Sequence, residues 1–273
     1  MIKVSNFLQE MAKQSMVRAE ALPSNREVCD FDKPVFELEL SNFDIIAEYK
    51  ANSPAEGKLV ANIDMEEQIL AYAQGGAAAI SVLTEPTRFA GHINDLRAAT
   101  TAVKHLSIPV MRKDFLVDPR QITESRNCGA SGVLLITALF KPAELRYMLD
   151  CAFDHSLFVL LESFSDEDLS QSKALLMEDR YRNYASKKKL LFGVNTRDLR
   201  TLKVNSERLA RLSKELPDHV PSVAESGINE IQDIVNARKH GYSLALIGTA
   251  LMRSSAPEIF LRELLVAGRG KPK

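Results

Sequence analysis

The feature that most constrains the fold of this chain is a strand-then-helix alternation that begins near Asp44 and continues to the last residues. Short apolar runs alternate with segments whose apolar residues recur at helical spacing. The runs are apolar almost throughout, as in parallel strands covered on both faces. Eight strands are predicted: Ile45–Lys50, Ala79–Leu83, Val110–Lys113, Gly132–Ile136, Leu157–Glu162, Leu190–Asn195, Ser222–Glu225 and Leu244–Ile247.

Eight such repeats predict an α/β protein of the (βα)8 TIM-barrel class. Between Lys50 and Gly248 the repeat averages about 28 residues, close to the ~30 of a βαβ unit. An open, doubly wound sheet is the alternative fold. That fold would place a glycine-rich fingerprint after its first strand, where this chain reads ANSP at residues 51–54. The sequence therefore favours the closed barrel.

The domain organisation is predicted to be simple. No low-complexity segment or linker divides the chain, so we expect one barrel domain spanning residues 1–273. Residues 1–43 precede the first strand and form a predicted N-terminal helical extension. Within it, Asn6–Ala21 carries apolar residues at helical spacing and is predicted to be a helix.

Composition excludes several classes of function. A net charge of −1 gives no general attraction to nucleic acid or anionic membranes, and no apolar run is long enough to span a bilayer. Cys29, Cys128 and Cys151 are odd in number and widely spaced, which suits a reducing cytoplasm better than a disulfide scaffold. The five histidines form no HxH or HExxH pair. We expect a cytoplasmic protein without a metal, a nucleic-acid partner or a membrane partner; its oligomeric state is unknown.

Polar side chains stand at the predicted carboxyl ends of the strands, where barrels gather their functional groups. Each has a plain structural explanation: an ion pair of Glu48 with Lys50, a loop position for Glu162, a turn cap for Asn195. Their occurrence at the same end of five strands favours a shared site. The residues concerned are Glu48, Lys50, Lys113, Glu162, Asn195, Arg197 and Glu225.

Lys113 lies in the segment SIPVMRKDFLVD, between a short apolar strand and a helix predicted to start at Asp118-Pro119. If Lys113 is buried, its pKa falls unless a carboxylate compensates for the lost hydration. The alternative is that the charges of residues 112–114 all lie in a solvated turn.

The last two repeats carry a second signal. Ser226-Gly227 follows the seventh strand, and Gly248-Thr249 follows the eighth and opens a short helical turn. Loops at these places form the recurrent phosphate site of barrels, where backbone N–H groups and hydroxyls bind the anion. The alternative is that both glycines only form turns; the barrel context favours a phosphate site.

Six segments in matching order, between about Asp44 and Pro257, resemble indole-3-glycerol phosphate synthase of tryptophan biosynthesis. They are IIAEYKANSPAEGKL, ISVLTEPTRFAG, IPVMRKDFLVDPRQITESRNCGASGVLLI, LFGVNTRDLRTLKVN, SVAESGI and ALIGTALMRSSAP. The resemblance implies a (βα)8 barrel whose N-terminal segment helps to cover the substrate. It implies ring closure of 1-(2-carboxyphenylamino)-1-deoxyribulose 5-phosphate with loss of CO2 and water, without cofactor or metal.

The resemblance also implies residue roles. Lys113 matches the general acid, whose pKa we expect to be tuned toward the working pH by Glu48 and Lys50. Lys50 matches the lysine that contacts the substrate carboxylate and takes part in dehydration. The other implied residues are Glu48 and Glu162 as carboxylates that handle protons, Asn195, Arg197, Glu225 and Ser53 around the substrate, Phe115 against its aromatic ring, and Ser226, Gly227, Gly248 and Thr249 at the phosphate.

The chain departs from the family pattern in three places. The first motif reads EYKANSPAEG, the fifth strand ends LLESF, and Glu178–Lys189 lengthens the connection before the sixth strand, with a lysine run predicted to be a solvated loop. A paralogue acting on a modified anthranilate substrate is therefore one alternative. A non-catalytic barrel that binds a phosphorylated ligand is another. An isomerase of the same pathway would use a cysteine and aspartate pair at strand ends, which this chain lacks.

Overall fold

Eight parallel strands close into a barrel in the computed structural model, which describes residues 6–23, 33–53, 57–58, 64–200, 203–205 and 207–270. Each strand pairs with its neighbours in chain order, and the first pairs with the last to close the ring. The predicted (βα)8 TIM barrel is therefore confirmed. The strands are β1 Asp44–Tyr49, β2 Ala79–Leu83, β3 Val110–Lys113, β4 Gly132–Ile136, β5 Phe158–Ser163, β6 Leu190–Asn195, β7 Ser222–Glu225 and β8 Leu244–Ile247.

Helices follow the strands on the outside of the barrel. Asp118 illustrates how the sequence starts them: its carboxylate accepts from the backbone N–H of Arg120, Pro119 occupies the first helical position, and Gln121 accepts from the N–H of Asp118. Within the described ranges, no helix is long and apolar enough to cross a membrane. The α-helices are Asn6–Glu20, Met65–Gln74, Pro86–Phe89, Ile93–Ala102, Pro119–Asn127, Pro142–Asp154, Asp166–Leu175, Asp179–Ser186, Glu207–Leu212, Ile231–Lys239, Thr249–Arg253 and Pro257–Arg269.

The alternation of side chains along the strands produces two apolar cores. Outward-facing residues pack against the helices, and inward-facing residues fill the barrel. One layer of the barrel interior consists of one side chain from each odd-numbered strand, as in other barrels of this type. Its members are Ile46, Met111, Leu160 and Val223, all at most 1% exposed.

The predicted N-terminal helix forms as Asn6–Glu20 and packs over the loops that follow β2 and β3. Arg18 Nη2 lies 2.7 Å from Asp114 Oδ1, and Ser15 Oγ accepts from Gln121 Nε2 at 2.8 Å. Both partners on the barrel are buried. These contacts hold the helix Asn6–Glu20 across the carboxyl ends of the strands.

The lysine run before β6 is an exposed to half-exposed turn, as predicted, but most of the lengthened connection Glu178–Lys189 is helical. Residues Asp179–Ser186 form a helix, and residues 187–189 form the turn that leads into β6. Tyr181 is completely buried, and the ring of Tyr184 stacks on Phe153 with centroids 3.8 Å apart. Burial of this apolar face stabilises a helix in a segment whose charges suggested a loop.

Candidate active site

A layer of charged side chains lies directly above the apolar interior layer. Its residues follow those of the apolar layer by two positions on the odd-numbered strands. They face the barrel interior as well, because side chains two apart on a strand share a face. The three carboxylic residues are 3% exposed or less, and the lysine side chain is 17% exposed. The members are Glu48 on β1, Lys113 on β3, Glu162 on β5 and Glu225 on β7.

Lys113 reaches into the barrel mouth between two carboxylates. Its Nζ lies 3.1 Å from Glu162 Oε2 and 3.4 Å from Glu225 Oε2. Burial disfavours the ammonium, but the negative charges of Glu162, Glu225 and Glu48 more than offset this and raise the pKa of Lys113. The solvated turn is therefore excluded. The expected tuning of this pKa toward the working pH is also wrong, because the surrounding carboxylates move the pKa of Lys113 further above that pH.

Glu48 and Lys50 form the ion pair that the sequence offered as a structural alternative. Lys50 Nζ lies 2.8 Å from Glu48 Oε1, and both residues line the same cavity as Lys113. Burial alone would raise the pKa of Glu48, but the charges of Lys50 and Lys113 lower it. Glu48 is therefore an ionised carboxylate, and the pair faces the cavity.

Glu225 has the opposite electrostatic environment. Burial and the neighbouring charge of Glu162 raise its pKa well above the ordinary value, and Lys113 offsets only part of this effect. Its Oε1 atom packs against Gly193 on β6, where any Cβ would overlap it. A glycine at this position therefore leaves room for the carboxyl group.

The charged layer forms the floor of a cavity of about 440 Å³, within the range of small-molecule sites. Its upper walls are largely apolar, and Phe115 lies among them as predicted. Phe7 from the N-terminal helix meets Phe115 edge-on at 6.1 Å between centroids, and Phe89 lies 6.4 Å from it. The sequence analysis did not identify Phe7 and Phe89 as cavity residues, although Phe89 lies in the loop region after β2, at the end of the helix Pro86–Phe89.

Asn195 and Arg197 both line the cavity. The backbone N–H of Arg197 donates to Asn195 Oδ1 at 2.9 Å, so the predicted turn cap is present. Ser53 belongs to a two-stranded ribbon after β1, in which it pairs with Gly57. The side chain of Ser53 lies outside the described residues.

The four residues predicted at the phosphate also line the cavity. Ser226 and Gly227 take consecutive positive φ angles of 64° and 72°, which are costly for a serine and typical of functional loops. Gly248 lies beside the Glu48–Lys50 pair, where a Cβ would overlap Glu48 Oε1. Thr249 follows at the start of the helix Thr249–Arg253. The loops after β7 and β8 thus form one edge of the cavity.

The arrangement can bind an aromatic group against the phenylalanines and an anion at the opposite edge. Between them it presents an ammonium group in a largely desolvated position, suited to stabilising negative charge that develops on an oxygen. Among the described residues, no group of three or more His, Cys, Asp or Glu side chains is arranged to hold a metal ion.

Comparisons with known proteins agree on one family. The family model described as indole-3-glycerol phosphate synthase matches residues 3–264. The indole-3-glycerol phosphate synthase of Koribacter versatilis is 38% identical over 221 residues, covering 81% of this chain and 79% of the relative. That of Mycolicibacterium gilvum is 36% identical over 251 residues, covering 92% and 85%.

Solved structures support the fold alone. The 3-hexulose-6-phosphate synthase of Salmonella typhimurium superimposes with a TM-score of 0.62 at 13% identity, covering 83% of this chain and 98% of the other. The thiamine phosphate pyrophosphorylase of Pyrococcus furiosus superimposes with a TM-score of 0.56 at 13% identity, covering 83% and 95%.

Proposed function

This chain belongs to the indole-3-glycerol phosphate synthase family, and from that premise we propose the reaction that its site performs. The chain is a carbon–carbon lyase of tryptophan biosynthesis. It closes the indole ring of 1-(2-carboxyphenylamino)-1-deoxyribulose 5-phosphate and releases CO2 and water. The observation that carries the proposal is the ammonium of Lys113, held by two buried carboxylates at the floor of an apolar cavity.

Lys113 donates a proton to the ribulose carbonyl oxygen as the aromatic carbon attacks the carbonyl carbon. The attack moves negative charge onto that oxygen, and a fixed, desolvated cation stabilises this charge more than it stabilises the uncharged ground state. Glu162 holds the Lys113 ammonium at 3.1 Å. The carboxylates keep Lys113 protonated, so Lys113 gives its proton only to a strongly basic atom. The oxygen that gains negative charge in the transition state is such an atom.

Lys50 contacts the substrate carboxylate and supplies a proton during dehydration, with Glu48 orienting it at 2.8 Å. The carboxylate is thereby placed beside an apolar wall, where loss of hydration favours release of CO2. Phe115 and its neighbours Phe7 and Phe89 hold the anthranilate ring.

Other residues position the substrate. Asn195, Arg197 and Glu225 line the same cavity as the aromatic wall and the loops after β7 and β8. We assign the substrate phosphate to that edge, which presents Ser226, Gly227, Gly248 and Thr249, and we place Ser53 beside the substrate by its SP motif. The proposal includes a single barrel domain over residues 1–273, a cytoplasmic location, and no need for a cofactor, metal or nucleic acid.

The purified chain, mixed with the synthetic substrate, should form product that is followed by indole absorbance and by release of CO2. Competitive inhibition by inorganic phosphate would support the phosphate assignment. Tight binding of substrate without any indole signal would instead identify a non-catalytic barrel. Ring closure only with a substituted anthranilate derivative would identify a paralogue of altered specificity.

A further inference from the structure

Two buried carboxyl groups share one cation at the floor of the cavity. Glu162 is 0% and Glu225 1% exposed, and the same Lys113 Nζ lies 3.1 Å and 3.4 Å from their Oε2 atoms. Because both Oε2 atoms lie within 3.4 Å of the same nitrogen, the two carboxyl groups are close neighbours, and the charge of Glu162 raises the pKa of Glu225. Two carboxylates this close in a desolvated site do not both ionise readily, because their mutual repulsion adds to the cost of burial.

The outer oxygens of the pair are shielded. Oε1 of Glu162 and Oε1 of Glu225 are both buried without a hydrogen-bond partner among the described residues. The backbone of Gly193 covers Glu225 Oε1. A buried carboxylate oxygen without a donor is costly, and protonation of one of the two groups lowers that cost because it removes one buried negative charge.

The charges around Glu162 and Glu225 favour the binding of one proton by the pair. The charged or titratable groups that face the pair come from β1 (Glu48 and Lys50), β3 and its loop (Lys113 and Asp114) and the loop after β6 (Arg197); β4 and β8 contribute apolar side chains. Glu48 is neutralised by Lys50, and Asp114 is paired with both Arg18 and Arg112. Arg197 forms no ion pair with either group, and within the described ranges Lys113 is the one cation at ion-pair distance from Glu162 and Glu225. One shared proton therefore makes this trio electrically neutral.

We propose that Glu162 and Glu225 share one proton in the ligand-free site, and that this proton replaces the one that Lys113 gives to the substrate. The second half of this statement rests on the proposed function. Glu225 then acts on the reaction through Lys113, because it helps to hold the proton that Lys113 takes up. It also contacts the substrate.

The proton transfers balance. An N–H bond of Lys113 breaks as an O–H bond forms on the former carbonyl oxygen. The O–H bond of the carboxyl pair then breaks, its electron pair stays on the carboxylate oxygen, and the N–H bond of Lys113 re-forms. When water leaves and the ring becomes aromatic, the departing hydroxyl takes a proton from Lys50, which regains one from solvent. The carbon next to the indole nitrogen loses a proton, and its C–H electrons enter the ring. The carboxyl pair accepts that proton and returns to its starting state.

Infrared spectroscopy of the ligand-free protein tests the sharing directly. The carbonyl stretch of a protonated carboxylic acid should be present at neutral pH and should disappear in Glu225→Gln and in Glu162→Gln. Glu48→Gln is the matched control: it removes another buried carboxyl of the same layer, and the band should remain because Glu48 is ionised. Absence of the band in the parent protein, or its persistence in both Glu225→Gln and Glu162→Gln, would overturn the proposal.

A second measurement tests the effect of the Lys113 ammonium on this proton. In Lys113→Met the band should persist to higher pH than in the parent protein, because loss of the positive charge disfavours ionisation of the pair. A band that titrates at the same pH in both proteins would contradict the placement of the proton beside Lys113.

The replacement step is tested by the pH profile of single-turnover ring closure. The parent rate should fall as the pH rises through the titration seen in the infrared, and Glu225→Gln should be slower and lack this alkaline limb. An infrared band without a matching limb would overturn the replacement step. Absence of turnover in the parent protein would count against the proposed function and leave the infrared result standing.

Discussion

Removing the ammonium of Lys113 should destabilise the fold in a pH-dependent way. Lys113→Met leaves Glu162 and Glu225 buried without a cation at ion-pair distance. Breaking a buried ion pair by removing one partner costs about 3–5 kcal/mol. Because a shared proton leaves one negative charge on the pair rather than two, we expect the lower figure, about 3 kcal/mol, near pH 8.

The cost should shrink as the pH falls. The uncompensated carboxyl group of the variant has a native pKa above its unfolded value, so the native state binds more protons than the unfolded state. Stability then rises on acidification by up to about 1.4 kcal/mol per pH unit for one proton, so lowering the pH by about two units recovers most of the loss.

Urea denaturation of the parent and of Lys113→Met, near pH 8 and two units lower, measures both effects. The double variant Lys113→Met/Glu225→Gln is the control, because it removes one carboxyl group together with the ammonium and should lose less stability near pH 8 than Lys113→Met. A single variant as stable as the parent near pH 8, or one equally destabilised at both pH values, would refute the electrostatic reasoning.

Two further predictions concern the aromatic wall and the helix before β6. Phe7→Ala removes the edge-on contact with Phe115 and should raise KM about tenfold with kcat nearly unchanged, since uniform binding is lost; Val17→Ala, 67% exposed on the same helix, should leave both unchanged. Tyr181→Phe removes the 3.0 Å hydrogen bond to Asp150 and should lower the free energy of unfolding by about 1 kcal/mol without changing turnover. A loss of turnover in Tyr181→Phe would contradict a purely structural role for this helix.

The barrel could be predicted from the sequence because its strands are apolar on both faces. Six of the eight strands have the bounds that the pattern predicts, and β1 and β5 are each displaced by one residue. The helix start at Asp118 was equally readable, since a capping aspartate followed by proline specifies it locally.

The position of the charged layer was also readable in outline. Glu48, Lys113, Glu162 and Glu225 stand at the carboxyl ends of odd-numbered strands, and closure of the barrel brings them together. The sequence does not specify which oxygen meets which nitrogen. The sharing of Lys113 by two carboxylates, and the resulting rise of its pKa, depend on the three-dimensional arrangement of three separate strands.

Two misses have different physical causes. The cavity contact of Phe7 depends on how the N-terminal helix packs, which is fixed by the long-range ion pair of Arg18 with Asp114 and leaves no local signal. The helix Asp179–Ser186 did leave one: Tyr181 and Ala185, which are buried, recur at a helical spacing of four. The neighbouring run of lysines obscured that spacing.

The central claim is that Lys113, held in the carboxylate layer, supplies the proton for ring closure. The most direct test is single-turnover formation of the indole chromophore by the parent and by Lys113→Met, at a pH where circular dichroism shows both to be folded. The account predicts that the variant still binds substrate but closes the ring about a thousandfold more slowly. Ring closure by folded Lys113→Met at close to the parent rate would contradict it.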